Sequence, residues 1–432
     1  MHSDECFTNM SLRAPLIIAF AISCFGCFCA ATLPASDHHF HDPHTKFIIN
    51  VDDFGTRADG LTDDSEAFEN AWHRFCQTKQ GVLLIPRRIY LLKPVFFSGP
   101  CNPNLKMKIR GTIKASRNKD DYKITERQNW ILFRHLQHFR VDGGGLIDGN
   151  GEIWWKQSCN FLKREPCDNG QVPLAVSFEN CTNLKVKNLR LKNSQKMHLT
   201  FNESRVIEVS KLKIEAPGDS PNTDGIHITM TKDIHIKNSV IRTGDDCISI
   251  VNRSMNVRVS GIVCGLGHGI SIGSLGRLGN QEAEYVSDVV VNRSRLIGTK
   301  NGVRIKTWQG GHGDANNIVF ENIVMQNVTN PIIIDQFYCE KSKVKPEPCP
   351  EQREAVKISK VVYRNIRGTS AEDLAITFNC SKNVPCQGIV LDNVRLTGSG
   401  EAKNITASCS QVKYITKGDV FPSCNYTDIS AE

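Results

Sequence analysis

The stretch IHIKNSVI, residues 234–241, reads as two short runs of alternating apolar residues joined at a polar Lys-Asn corner. Alternation with a period of two marks a strand with one buried face. Eight further segments repeat the pattern: FRVDGGGL (139–146), LKVKNLRL (184–191), IEVSKLKI (207–214), VRVSGIVC (257–264), VVVNRSRL (289–296), IVFENIVM (318–325), VKISKVVY (356–363) and IVLDNVRL (389–396). From the second segment onward their starts lie 23, 27, 23, 32, 29, 38 and 33 residues apart.

That interval is too short for a βαβ unit with a full crossover helix, and the intervening residues lack helical periodicity. Stacked coils explain it better. Each coil contributes two or three short strands, the corner residue turns the chain, and the stack buries one continuous apolar column. The expectation is an all-β chain: a right-handed parallel β-helix of about ten coils. Variable spacing maps to loops on one side. An antiparallel β-sandwich is the other architecture considered, but two-residue hairpin signals between the strands are scarce.

One helix is legible. In TDDSEAFENAWHRFC (62–76), Asp63 and Glu66 suggest a capping box. Ala67, Phe68, Ala71, Trp72 and Phe75 fall on one apolar face, which suits a short N-terminal capping helix over the open end of the coil. No linker or composition shift follows residue 47, so residues 36–432 read as a single catalytic domain.

Residues 1–35 read as a secretory signal: Arg13 precedes an apolar stretch over 15–29, and Ala30 and Ala31 mark an approximate cleavage zone. The acidic opening MHSDECFTN is unlike a signal start, which makes Met10 an alternative initiation point. Of 17 cysteines, four lie in this leader. The pairs Cys76/Cys101, Cys159/Cys167, Cys247/Cys264, Cys339/Cys349, Cys380/Cys386 and Cys409/Cys424 suit bridges in an oxidising compartment, with Cys181 left as a buried thiol. Eight N-x-S/T sequons follow the leader, at Asn180, Asn202, Asn252, Asn292, Asn327, Asn379, Asn404 and Asn425. The expected location is extracellular.

The net charge is +8, and +9 once the one basic and two acidic residues of 1–35 are removed. A basic secreted protein points to an anionic partner. Nucleic acid is excluded by the absence of a dense Lys/Arg run and by the compartment. An acidic polysaccharide fits both charge and location. No membrane contact is expected after signal cleavage, no cofactor or metal is called for, and the chain reads as a monomer.

Four short motifs hold the reactive side chains: SPNTDGIHI (220–228), TGDDCISI (243–250), GLGHGISIG (265–273) and NGVRIKT (301–307). Asp224 to Asp245 spans 21 residues and Asp246 to His268 spans 22, one coil each. The coil period therefore stacks Asp224, Asp245, Asp246, His268, Arg304 and Lys306 into one patch. Singly, each has a plain structural reading: a turn aspartate, a turn histidine, an alternating solvated strand face. Residues 265–269 also resemble a dinucleotide glycine loop, but no helix follows. Jointly they make chemistry. Neighbouring carboxylates split in pKa and so provide an acid and a base, as glycoside hydrolysis requires. Arg304 and Lys306 suit a substrate carboxylate.

Together, SPNTDGIHI, GDDC, GHGISIGSLG and RIKT resemble the four signature segments of plant polygalacturonases. NVDDFGTRADGLTDDSEAF (50–68), IDGNGEIWW (147–155), TWQGG (307–311) and NPIIIDQFYC (330–339) extend the resemblance from about residue 48 to the C-terminal cysteines. It implies inverting hydrolysis of α-1,4-galacturonosyl bonds in homogalacturonan, endo action favoured over exo. Asp245 would be the general acid, Asp224 and Asp246 would activate water, and His268 would tune the acid. Asn222, Arg304, Lys306 and Tyr338 would hold galacturonate. NSQKMHL (193–199) departs from the family pattern by carrying Gln-Lys-Met in place of a Pro-containing segment, and Phe337 stands where a polar residue is usual. Both bear on subsite preference. The alternatives are a hydrolase of a substituted pectin such as xylogalacturonan, a pectate lyase using calcium, and a non-catalytic wall-binding relative.

One geometric demand follows. Successive strand residues face opposite sides, so Asp245 and Asp246 can share the cleft only if the backbone bends, and Gly244 is where a bend is expected.

Overall fold

The computed structural model describes residues 47–122, 128–159, 172–277, 282–339, 352–400 and 404–424. The leader, Cys167, Cys349 and the Asn425 sequon lie outside the described residues.

Every strand pairing within the sheets is parallel, the sole pattern that a chain coiling in one direction can make. Two parallel walls result, one of 20 strands and one of 11. The 20-stranded wall contains all nine aligned segments; IHIKNSVI, for example, lies within Lys232–Arg242, which pairs with Ser254–Gly265. Eleven rungs on the narrower wall agree with about ten coils.

The corner residues explain how one strand serves both sides of a turn. Asn188, Lys211, Asn238, Arg293, Asn322, Asn365 and Asn393 all have φ between 50° and 55°. That left-handed conformation suits Asn, whose short amide bonds locally, better than other residues with a Cβ. Side chains flanking each corner then face inward in register. Ile234, Val257, Val289, Ile318, Val361 and Ile389 form one such buried row. The expected alignment of VKISKVVY is out of register, since Val361 and not Val356 pairs with Ile318. On the narrower wall Ile226, Ile248, Ile270, Val303, Ile332 and Ile376 form another. Phe133, Phe178 and Phe201 stack near-parallel at 4.7 and 5.6 Å between centroids.

The predicted helix is present as Ser65–Cys76, and the five expected apolar residues are buried. It plugs the N-terminal end of the column, where Trp72 meets Phe97 at 5.0 Å and Phe139 at 5.6 Å. The capping box does not form. Asp64 occupies the cap position without a side-chain cap bond. Its carboxylate instead accepts the Arg57 and Ala58 N–H groups. Asp63 accepts from Ser65 N–H at 3.0 Å. Cys76–Cys101 secures the helix end, and Cys247–Cys264, Cys380–Cys386 and Cys409–Cys424 form as expected. Cys159 and Cys339 are disulfide-bonded, and Cys181 is a buried free thiol.

Candidate active site

The reactive residues sit on the outer face of the 11-stranded wall. Strand pairing places Ser177, Thr200, His227, Ser249, Ser271 and Arg304 in one outward row across six rungs. The aspartates join this row from the turns that precede its strands.

The backbone bends at Gly244–Asp245, as the paired aspartates demand. Gly244 serves by close approach: a Cβ there would lie 2.1 Å from the Ser220 carbonyl oxygen. Its N–H donates to Thr223 Oγ1 at 3.1 Å, which fastens the Asp245 turn to the Asp224 turn. Gly267 combines φ +47° with a carbonyl, that of Asp245, 2.2 Å from where its Cβ would stand. The neighbouring His268 N–H donates to that same carbonyl at 3.0 Å. Cys247–Cys264 ties the aspartate coil to the strand leading into His268.

Each carboxylate has a different environment. Asp246 is buried, but on the outer face of the wall: its Oδ1 accepts from Ser271 Oγ at 2.7 Å and Arg304 Nη2 at 2.9 Å. Its Oδ2 accepts from Lys306 Nζ at 3.1 Å. Asp245 is the more open of the pair and accepts from His268 Nδ1 at 2.9 Å. Burial opposes its ionisation, yet the His268 hydrogen bond and charge, with Lys306 behind them, hold its pKa down to about 2. Asp224 is buried, with Ser249 Oγ donating to its Oδ2 at 2.7 Å. Burial first, and then the charges of Asp245 and Asp246, push its pKa well above the ordinary carboxylate value. The two carboxyls titrate in opposite directions from one starting chemistry.

Around Asp224 lies a second layer that sequence reasoning passed over. His227 Nδ1 lies 2.8 Å from Ser249 Oγ. While Asp224 is ionised, the serine proton points to it and the imidazole donates to the serine. Burial and the nearby Lys196 lower the His227 pKa to about 4, so the ring is neutral. His198, buried and also lowered to about 4 by desolvation, sets Nδ1 3.1 Å from the Asp224 carbonyl oxygen. Both histidines lie inside quoted segments, SPNTDGIHI and NSQKMHL. The available signal was alternation: His227 is the residue between two inward isoleucines, so it faces the cleft.

The remaining expected residues flank the acids. Asn222 is exposed in a left-handed turn beside Asp224. Lys306 Nζ lies 5.4 Å from the Tyr338 ring centroid, within cation–π range. Tyr338 packs edge-on against Trp308 at 5.1 Å, and the Arg277 guanidinium lies 5.8 Å from the Trp308 ring. Trp308 and Arg277 escape sequence reasoning because each lies just outside the four motifs.

Among the described residues, Asp245, Asp246 and His268 could offer ligand atoms to a metal within 4.8 Å of one another. The donor set fits a cation poorly. Asp246 already neutralises two fixed cations, which would stand beside any third.

Residues 76–423 match glycosyl hydrolases family 28. A polygalacturonase of Arabidopsis thaliana is 53% identical over 379 residues, 87% of this chain and 84% of the relative. One of Persea americana is 52% identical over 364 residues, 84% and 77%. This chain belongs to glycosyl hydrolases family 28. A polygalacturonase structure from Erwinia carotovora matches the fold with a TM-score of 0.70 at 21% identity, covering 86% of this chain and 98% of that one. The fold of this family 28 glycoside hydrolase is accordingly the right-handed parallel β-helix, the hand also expected of parallel crossovers. Asp224 and Asp245, shifted in opposite directions, are two carboxyls of different proton affinity within this site.

Proposed function

We propose that this family 28 hydrolase is a secreted, monomeric polygalacturonase that cleaves α-1,4-galacturonosyl linkages of homogalacturonan with inversion and in endo fashion. The observation that carries the reading is the pairing of oppositely titrating carboxyls with the Asp246–Arg304–Lys306 cluster. Arg304 directs Nε to Ser271 and Nη2 to Asp246, leaving Nη1 without a hydrogen bond among the described residues. A sugar carboxylate is the natural partner for it, with Lys306 as a second positive charge. Tyr338 and Asn222 border the same sugar positions.

Asp245 acts as general acid, and Asp224 as the base on water. Asp246, with three donors already on its oxygens, aligns the two cations and raises Asp224 by its charge. In the free cleft Asp224 is the carboxyl that holds a proton more readily. A polyanionic chain entering beside the more exposed Asp245 raises that carboxyl by bringing like charge against it. Proton transfer between the carboxyls on substrate binding then sets the acid and base for turnover. His268 governs the exchange.

Reducing ends released from de-esterified polygalacturonate test the activity, and proton magnetic resonance of the first-formed anomer tests inversion. Viscosity falling faster than reducing ends appear supports endo action. Unsaturated, ultraviolet-absorbing products that vanish with a chelator would instead favour a lyase, and no products at all a binding protein. Secretion is supported by the leader over 1–35, the bridged cysteines and the sequons. Among the described residues no helix is long and apolar enough to cross a membrane. Recovery of the chain from the medium of an expressing plant cell, cleaved near residue 35, tests it.

A further inference from the structure

The outward row does not end at the acids. On the N-terminal side of His227 it opens into a groove of about 650 Å³. Strands lie about 4.8 Å apart, so Thr200 and Ser177 stand roughly 10 and 14 Å from Ser249 along the row. Both are buried in the groove floor, and neither hydroxyl has a hydrogen-bond partner among the described residues. The Asn202 amide oxygen, also lining the groove, is buried and unpartnered too. An unsatisfied buried polar atom is costly unless a ligand completes it. Each of these atoms is closed off from the groove in this conformation, and a sugar hydroxyl completes it once the side chain turns its oxygen into the groove.

The groove's charges differ from those at the other end of the cleft. Beyond the acids stand Arg304, Lys306 and Arg277; here, among the described residues, one cation, Lys196, and one anion, Glu179, line the groove. A sugar carboxylate placed on Lys196 would share the space with Glu179 and with the acceptor oxygen of Asn202. An uncharged sugar meets neither repulsion, and Met197 offers an apolar contact for a methyl group. Lys196 and Met197 are adjacent in the chain, on the segment that enters the strand Leu199–Asn202.

We propose that this groove is a remote subsite selecting an uncharged pyranose, foremost a methyl-esterified galacturonosyl residue, two to three sugars from the cleaved bond. The proposal rests on the hydrolase reading. It also requires that the Asn202 sequon stays unglycosylated, since a glycan there would fill the groove.

The test uses octamers of galacturonic acid carrying one methyl ester at a defined position, the unesterified octamer, and octamers with galactose at that same position. Rates, KM and product lengths are measured for the whole secreted protein, with direct binding titrations of the same octamers. An ester at the groove position should lower KM about threefold to tenfold relative to the unesterified octamer, with kcat little changed. Galactose matching the ester assigns the selection to lost charge; the ester alone being favoured assigns it to the methyl contact. Glu179→Gln should abolish the preference by improving the unesterified octamer. Thr200→Val should raise KM for every octamer roughly fivefold at unchanged kcat. The proposal is overturned if the unesterified octamer binds best at every ester position and Glu179→Gln changes nothing, or if peptide mass mapping finds a glycan on Asn202. Should no octamer be cleaved, the hydrolase reading fails, while the binding titrations still decide the groove.

Discussion

The 20-stranded wall and the 11-stranded wall are built from the same coils, yet they solve different problems. On the first, side chains alternate between a buried apolar row and a solvated polar row, and left-handed corners such as Asn238 and Asn322 recur from coil to coil. On the second the inner isoleucine row is equally regular, but the outer row holds buried Asp224 and Asp246, neutral histidines and unpartnered hydroxyls. One wall collects stability. The other holds groups whose burial is unfavourable unless neighbours compensate. A rigid column permits this arrangement, because strain on one wall is borne by hydrogen bonds and packing on both.

If that division is right, substitutions on the two walls should separate activity from stability. The largest effect expected is from Asp245→Asn, which keeps the shape and the contact to His268 but cannot deliver a proton. Turnover should fall by about 10³-fold or more, with a lower unfolding midpoint at neutral pH because the favourable charge contact with His268 is lost; appreciable residual turnover would remove Asp245 from the acid role. The opposite outcome is expected for Phe320→Ala, whose ring is fully buried and stacks on Tyr363 at 5.4 Å. Stability should drop by about 3–5 kcal/mol in urea titration, with kcat per folded molecule intact.

Asp224→Asn tests both walls at once. Folding raises the Asp224 pKa, so its contribution to stability is favourable below the ordinary carboxyl value and becomes a penalty as pH rises towards neutral. The amide should therefore abolish turnover while raising the unfolding midpoint at neutral pH. Asp245 has the reverse sign. Its contribution is complete above the ordinary value of 3.8 and is lost as pH falls from there to about 2. Wild-type stability should consequently decline more steeply over that interval than stability of Asp245→Asn, as pH-jump unfolding would measure.

A smaller loss is expected at the corners. Asn322→Val places a β-branched residue at φ +54° and should cost about 1–2 kcal/mol with activity unaffected, whereas Asn322→Gly should be near neutral. The smallest change is expected from His227→Gln. The amide can still donate to Ser249, so kcat should fall only a few-fold; His227→Leu should fall further and shift the pH profile, since Ser249 loses its donor.

Much of this was legible in residue order. Alternation in IHIKNSVI and its relatives specifies the coils, and separations of 21 and 22 residues stack the motifs. Local pairs of cysteines proved to be bonded where both partners are described. What escaped notice was cooperative. Asp63 and Glu66 had the spacing of a capping box, but Asp64 was drawn to two N–H groups seven and six residues upstream in the chain, and the box did not close. His227 looked like filler between isoleucines until Ser249, one coil on, supplied its partner.

The sequence by itself determined the period, the inward rows and which residues share a coil level, because these follow from chain geometry and apolar burial alone. Only the tertiary structure decided how three chemically identical carboxyls differ. Asp246 received two cations, Asp245 a histidine, and Asp224 a dry pocket with a serine. Such differences arise from charges and dipoles brought within a few ångströms by neighbouring coils, over separations of up to 60 residues. No local pattern encodes them, because electrostatic energy depends on distance through space and on exclusion of water.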